Sequence, residues 1–330
     1  MKIWINSCHA ALEYVHAQTF QRLGHTVSGL FDLGSKQRPK VEGVTDVRVP
    51  DEVHEANKVM AVTDEMMGNP DVVIVHQTSD FPERVARYAS MGVHAVAVLF
   101  GQGSMDQHMR LAQYARASKK IWLAPYALKE FNMYAQMGVP AERMRLLRFG
   151  NARSDFDPNA WQGADEVCFV PCNSIHRRGD GCNWATLKLL MGSGLPLVIS
   201  GHQTEEIGGL GELTFDEYRD RLKRSACYLH VGTVPAPYTM TLVEAACSGT
   251  PIVAMNNACG LTAEGFDLDM AMHADGAFKA ITRILSESEH RRNRHEHSVY
   301  LAETMFSESS MLTGWENMFR NISDAIGRGE

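Results

Sequence analysis

Short apolar runs alternate with longer amphipathic stretches along most of the chain. That alternation predicts parallel sheets covered by helices. "KIWINSC" (2–8) reads as a buried strand, and "AALEYVHAQTFQRLGH" (10–25) as a helix that Gly24 ends. "TVSGLFDL" (26–33), "DVVIVHQ" (71–77) and "HAVAVLFG" (94–101) follow as strands, the last two separated by the helical "DFPERVARYASMG" (80–92). "KKIWLAP" (119–125), the helix "ALKEFNMYAQMG" (127–138) and the strand-like "MRLLRFG" (144–150) close this series.

The turn formers of "NARSDFDPNAWQGAD" (151–165) read as an interdomain connection. A second series then supplies the strands "EVCFVP", "LPLVIS", "ACYLHVG" and "TPIVAM". Its helices are "CNWATLKLLMG", "TFDEYRDRLKRS", "LVEAACSG" and "DGAFKAITRILSESE". A long amphipathic helix, "SMLTGWENMFRNISDAIG" (310–327), comes last. The expected architecture is α/β, with two similar domains facing across a cleft. Ligands of open parallel sheets bind beyond the carboxyl ends of the strands. That places "HVGTVPAPYTMTLVE" (230–244) at the cleft, with Glu244 expected in the first turn of a helix, where the dipole favours a carboxylate.

Composition narrows the class. At 330 residues the chain suits two domains, and no apolar run approaches a membrane span. "MKIWINSC" lacks the pattern of a signal peptide, so a cytoplasmic protein is expected. The seven cysteines (8, 168, 172, 182, 227, 247 and 259) follow no disulfide framework and are expected reduced. "CNSIHRRGDGC" lacks the spacing of a zinc site, and no metal is expected. Residues 1–150 carry 17 Lys and Arg against 15 Asp and Glu, whereas the rest carries 15 against 24. The acidic excess therefore belongs to the second half.

Several motifs fail. "GQGSMD" (101–106) has Asp106 where a dinucleotide loop needs its third glycine. "DFD" (155–157) lies in the connection and not after a strand, and "HRRNRHEH" (290–297) reads as a solvated helix end. Neither a P-loop nor G-x-S-x-G is present.

One block carries a family likeness. "APYTMTLVEAACSGTPIVA" resembles E-P-F-G-L-x-L-L-E-A-x-A-C-G-x-P-V-V-A of the retaining GT-B glycosyltransferases, with Glu244, Ala245, Gly249 and Pro251 in register. "FQRLGHTV", the passage 121–158 and "FVPCNSIHRRG" resemble further blocks of that family in the same order. The resemblance implies two Rossmann-like domains. Residues 1–155 would bind the acceptor, 156–310 would bind the nucleotide-sugar, and a final helix at about 311–330 would cross back. It implies a metal-independent transfer of a sugar from a nucleotide-sugar, a UDP-sugar foremost, to an acceptor hydroxyl. That donor is a co-substrate, so no cofactor is expected.

Roles follow residue by residue. Glu244 would accept hydrogen bonds from the donor ribose, and the backbone around Thr239, Met240 and Thr241 would receive the diphosphate. Arg178, at the family's lysine, would neutralise the leaving group. The first acid of the E-x7-E pair is replaced by Ala236, the diphosphate arginine by Cys172 and a histidine after the fifth strand by Phe100. His176 or Arg177 would have to stand in for that arginine, and His76 or His9 for the histidine. "GSKQRPK" (34–40), with Lys36, Arg38 and Lys40, lies on the acceptor side. It raises a phage-type alternative in which hydroxymethylated pyrimidines in DNA are the acceptor. The three replacements raise another alternative, a nucleotide-sugar sensor without catalysis, and a hydrolase or epimerase on the same fold is a third.

Overall fold

A computed structural model describes residues 1–6, 10–29, 38–39, 41–46, 56–233, 236, 238–255 and 265–330. The chain forms two compact units. One comprises Met1–Arg148 with Met311–Glu330, and the other Phe149–Ser310. The chain changes unit at 148/149, ahead of the expected boundary at 155/156.

The first unit is built on β1 (Lys2–Asn6), α1 (Ala10–Arg22), β2 (Thr26–Gly29), β3 (Thr45–Asp46) and β4 (Val72–His76). It continues with α2 (Phe81–Ser90), β5 (His94–Leu99), α3 (Met105–Ala117), β6 (Ile121–Pro125) and α4 (Leu128–Gln136). Among the described residues six strands lie in the order β3-β2-β1-β4-β5-β6, all pairings parallel. Every residue of β4, β5 and β6 is buried, as continuous apolar strands covered on both faces should be. The sheet order reverses between β1 and β4.

The "GQGS" loop after β5 is tied from below. Gln77 Oε1 accepts from the Phe100 amide at 2.7 Å, and Glu130 Oε1 from the Gly101 amide at 2.9 Å. Ser104 and Gln107 form a capping box that starts α3, so Asp106 is already helical. "MRLLRFG" departs from expectation and makes no strand. Arg145 and Leu147 donate to the Leu123 and Pro125 carbonyls at 3.0 and 2.9 Å, so the segment lies extended beside β6. Arg145 and Leu147 alone supply those bonds, and a regular strand is not completed.

The second unit carries β7 (Asp165–Pro171), α5 (Ile175–Arg178), α6 (Trp184–Met191), β8 (Leu197–Ser200), α7 (Phe215–Arg224) and β9 (Ser225–His230). It continues with α8 (Met240–Cys247), β10 (Ile252–Met255), β11 (Asp269–Ala271), α9 (Ala274–Ser286) and α10 (Ser288–Thr304). Its five described strands lie in the order β11-β10-β9-β7-β8, again all parallel. "HRRNRHEH" is not a solvated helix end. It lies inside α10, where buried His290 bonds Asp269 at 2.8 Å and His295 bonds the Gly249 carbonyl at 2.7 Å.

The last helix, α11 (Glu308–Gly327), completes the first unit. Its Trp315 and Phe319 pack edge-on against Phe20, with centroids 4.8 and 5.1 Å away. No helix among the described residues is long and apolar enough to cross a membrane.

Candidate functional site

In the second sheet the chain leaves β7 for β8 on one side, and β9 lies on the other. The crevice beyond the carboxyl ends of β7 and β9 is the place where such sheets take ligands. Two loops there are laced together. The amides of Cys172 and Ser174 donate to the carbonyls of Ser200 and His202 at 2.8 and 2.7 Å. The His202 amide donates to Asn173 Oδ1 at 2.9 Å, and Ser174 Oγ to Gln203 Oε1 at 2.9 Å. Ser174, Asn183 and Gln203 hold φ of 48°, 53° and 61°, left-handed values that non-glycine residues adopt where surrounding bonds impose them.

Arg178 ends α5 and donates to Thr233 Oγ1 at 3.1 Å, which joins the loop after β7 to the loop after β9. The Cys172 and Cys182 thiols lie in the same place. The hydrogen bond from Cys172 holds the Cys182 thiol below the usual range, with Arg178 and Thr233 adding to it, while Cys172 is raised. Cys168, Cys172, Cys182, Cys227 and Cys247 are free thiols, and Cys8 and Cys259 lie outside the described residues. Both candidate substitutes for an arginine at 172 are engaged by one acid. Arg177 and His176 both pair with Glu206, the latter at 2.9 Å.

Glu244 is placed differently from expectation. Helix α8 has no acid in its first turn; Glu244 lies in the second and is 1 % exposed. Tyr218 donates to its Oε2 at 2.8 Å. Burial of a carboxylate requires such partners, and a hydroxyl from α7 supplies one. Met240, the first residue of α8, is also buried.

Thr239 occupies the position before α8, yet its side chain makes no capping hydrogen bond. Its hydroxyl lies 2.8 Å from that of Thr241, which lies 2.9 Å from the Tyr228 hydroxyl. Tyr228 in turn bonds His230 Nδ1 at 3.0 Å. Burial pushes the Tyr228 hydroxyl up and the His230 imidazole down to about 4. Tyr218, Tyr228, His230, Thr233 and Glu206 were not among the residues the sequence singled out. A polar pair two apart at the end of an apolar strand, Tyr228 and His230, is the signal that was present.

In the first unit, His76 ends β4 and is fully buried. Its Nε2 lies 2.9 Å from His16 Nδ1, and its ring meets Phe100 edge-on at 5.7 Å. Burial holds His16 down to about 3, so that ring is neutral. Arg38 is half-buried, while His9, Lys36 and Lys40 lie outside the described residues. The "DFD" acid Asp157 accepts from the Asn159 amide at 3.1 Å and so caps a short turn.

No family model matches this chain, and no curated protein matches it. Solved structures do. Anabaena HepE, in complex with UDP and glucose, is similar with a TM-score of 0.67 at 13% identity, over 97% of this chain and 99% of that one. HepE has also been solved with UDP-glucose. Sucrose-phosphate synthase from Thermosynechococcus elongatus gives 0.67 at 14% identity, over 98% and 100% of the two chains. A glycosyltransferase from Rickettsia africae gives 0.65 at 11% identity, over 97% and 98%. The shared feature is the fold, GT-B, with two Rossmann-like α/β units.

Proposed function

We propose that this chain is a glycosyltransferase that moves a sugar from a UDP-sugar to an acceptor hydroxyl. The observation that carries the reading is local to the second unit. At the switch point of its sheet Arg178 bonds Thr233 across the loops after β7 and β9, Thr239 and Thr241 open α8, and Glu244 is buried in the second turn of that helix. A cation and a helix start suit a diphosphate, whose charge grows as the sugar bond breaks. Glu244 would meet the ribose, after exchanging or sharing its bond from Tyr218. The match of fold to HepE, solved with UDP and UDP-glucose, supports this donor class.

The finer reading is retention of configuration without a metal ion, with Arg178 supplying the charge. His76, held by His16, would act on the acceptor side, from a first unit that binds the acceptor. Titration calorimetry with UDP and UDP-glucose is the first test. UDP release with a panel of acceptors, hydroxymethylcytosine DNA included, is the second, and the anomer of the product decides retention. No binding of any nucleoside diphosphate would end the reading. Binding without turnover on any acceptor would favour a nucleotide-sugar sensor. Ala236, and the pairing of Arg177 with Glu206, are the observations on that side.

A further inference from the structure

The chain Thr239–Thr241–Tyr228–His230 has four members and three short contacts, at 2.8, 2.9 and 3.0 Å. Its inner end is sealed, with Tyr228 1 % and His230 2 % exposed. Its outer end is Thr239, the residue that precedes α8 and does not cap it. Among the described residues His230 Nε2 has no hydrogen-bond partner. The proton of a neutral imidazole is normally placed by the bond its other nitrogen makes. Among the described residues nothing at Nε2 places it, and the hydroxyl side is the described determinant of the tautomer.

Hydroxyl chains have a direction, because each member donates to one neighbour and accepts from the other. With the proton on Nε2, Tyr228 donates to Nδ1, Thr241 to Tyr228 and Thr239 to Thr241. Thr239 then turns only lone pairs outward. With the proton on Nδ1 every bond reverses, and Thr239 turns its O–H outward. Each hydroxyl keeps its hydrogen in both states; the ring gives its Nε2 proton to water and takes one from water at Nδ1 during local opening of the site, so the proton count is unchanged.

We infer that these four residues form a hydrogen-bond wire through which a phosphate oxygen at the start of α8 selects the Nδ1–H form of His230, so that Thr239 meets the anion as a donor. The inference rests on the reading of α8 as a diphosphate site. His230 and Tyr228 are positioning residues in it, and neither touches the ligand. Deep burial keeps the ring neutral at physiological pH, so the wire has one mobile ring proton and no net charge to move.

The test is nitrogen-15 NMR of histidine-labelled protein, with His230→Asn identifying the His230 signals. Spectra are taken free, with inorganic pyrophosphate and with UDP. The expected result is protonated Nδ1 and bare Nε2 in the pyrophosphate-saturated protein. Tyr228→Phe, which keeps the ring and cuts the wire, should weaken pyrophosphate and UDP about tenfold, the scale of one hydrogen bond to a charged group. Its affinity for uridine, which has no phosphate, should be unchanged. Nε2–H in the saturated wild type would overturn the wire, as would equal weakening of uridine and UDP in Tyr228→Phe. Pyrophosphate binding with the Nδ1–H signature but no UDP binding would keep the wire and remove the nucleotide reading. Binding of neither ligand overturns both.

Discussion

Tyr218 on α7 donates a 2.8 Å hydrogen bond to the carboxylate of Glu244 on α8, 26 residues later in the chain, and both groups are buried. Tyr218→Phe keeps the ring and removes one donor from a buried acid. It should lower stability by about 1–3 kcal/mol, read as a fall in melting temperature. Glu244→Gln keeps the volume and removes the charge, and should weaken UDP about tenfold by calorimetry. Unchanged UDP affinity would remove Glu244 from the donor site.

Arg178 is exposed and bonded only through Thr233 among the contacts described. Arg178→Ala should reduce turnover by more than it reduces uridine affinity, because its charge matters most as the diphosphate leaves. Activity should persist in EDTA. Loss in EDTA with recovery on manganese would overturn the metal-independent reading.

Stability should fall on mild acidification. Burial depresses His16 to about 3 and His230 to about 4, below the unfolded value of 6.5. Between those limits the unfolded chain binds more protons than the folded one, so stability rises with pH across the window. Each ring contributes a loss of about 2 kcal/mol by pH 5, in addition to any carboxylate effects. Melting temperatures from pH 7.5 to 5 should decline, and His16→Phe should flatten the slope. An equal slope in the variant would show that His16 is not among the groups responsible.

Gly249 ends the turn after α8 with φ of 71°, and an added methyl would run into the Pro158 carbonyl and the His295 ring. Left-handed strain and overpacking act together there. Gly249→Ala should destabilise by about 3 kcal/mol in denaturant unfolding, and Gly265→Ala, at φ of 90° with no described atom beyond its chain neighbours within 4 Å of the added methyl, by clearly less.

What the sequence revealed and what it hid divide along one line. Strands such as "VVIVH" and "HAVAVL" are read directly because every residue is apolar or buried. Thr214 and Glu217 form a capping box at the start of the expected helix "TFDEYRDRLKRS", and Ser104 with Gln107 form one at α3, a helix outside the expected series. The position of Glu244 in its block was also legible. Its burial was not, because Tyr218 sits on another helix. Arg177 looked available until Glu206, 29 residues on, took it up. His16 and His76 are 60 residues apart and meet only because the fold brings a residue of α1 to the end of β4. Tertiary partners of polar groups leave no periodic trace, so the residues were visible and their engagements were not.

The first unit is made of two stretches of chain, with the whole of the second unit between them. Phe20 therefore has no Trp315 or Phe319 to pack on until α11 exists. During synthesis from the amino end, the continuous segment Phe149–Ser310 is complete before the first unit can be. The earlier-made unit waits with one apolar face of α1 uncovered. Pairs such as Thr19 with Met311 then close late, across 292 residues. The order of birth along the ribosome is thus the reverse of the order of completion. A nascent chain stopped before α11 should expose the aromatic face that surrounds Phe20 to whatever chaperone reads such surfaces.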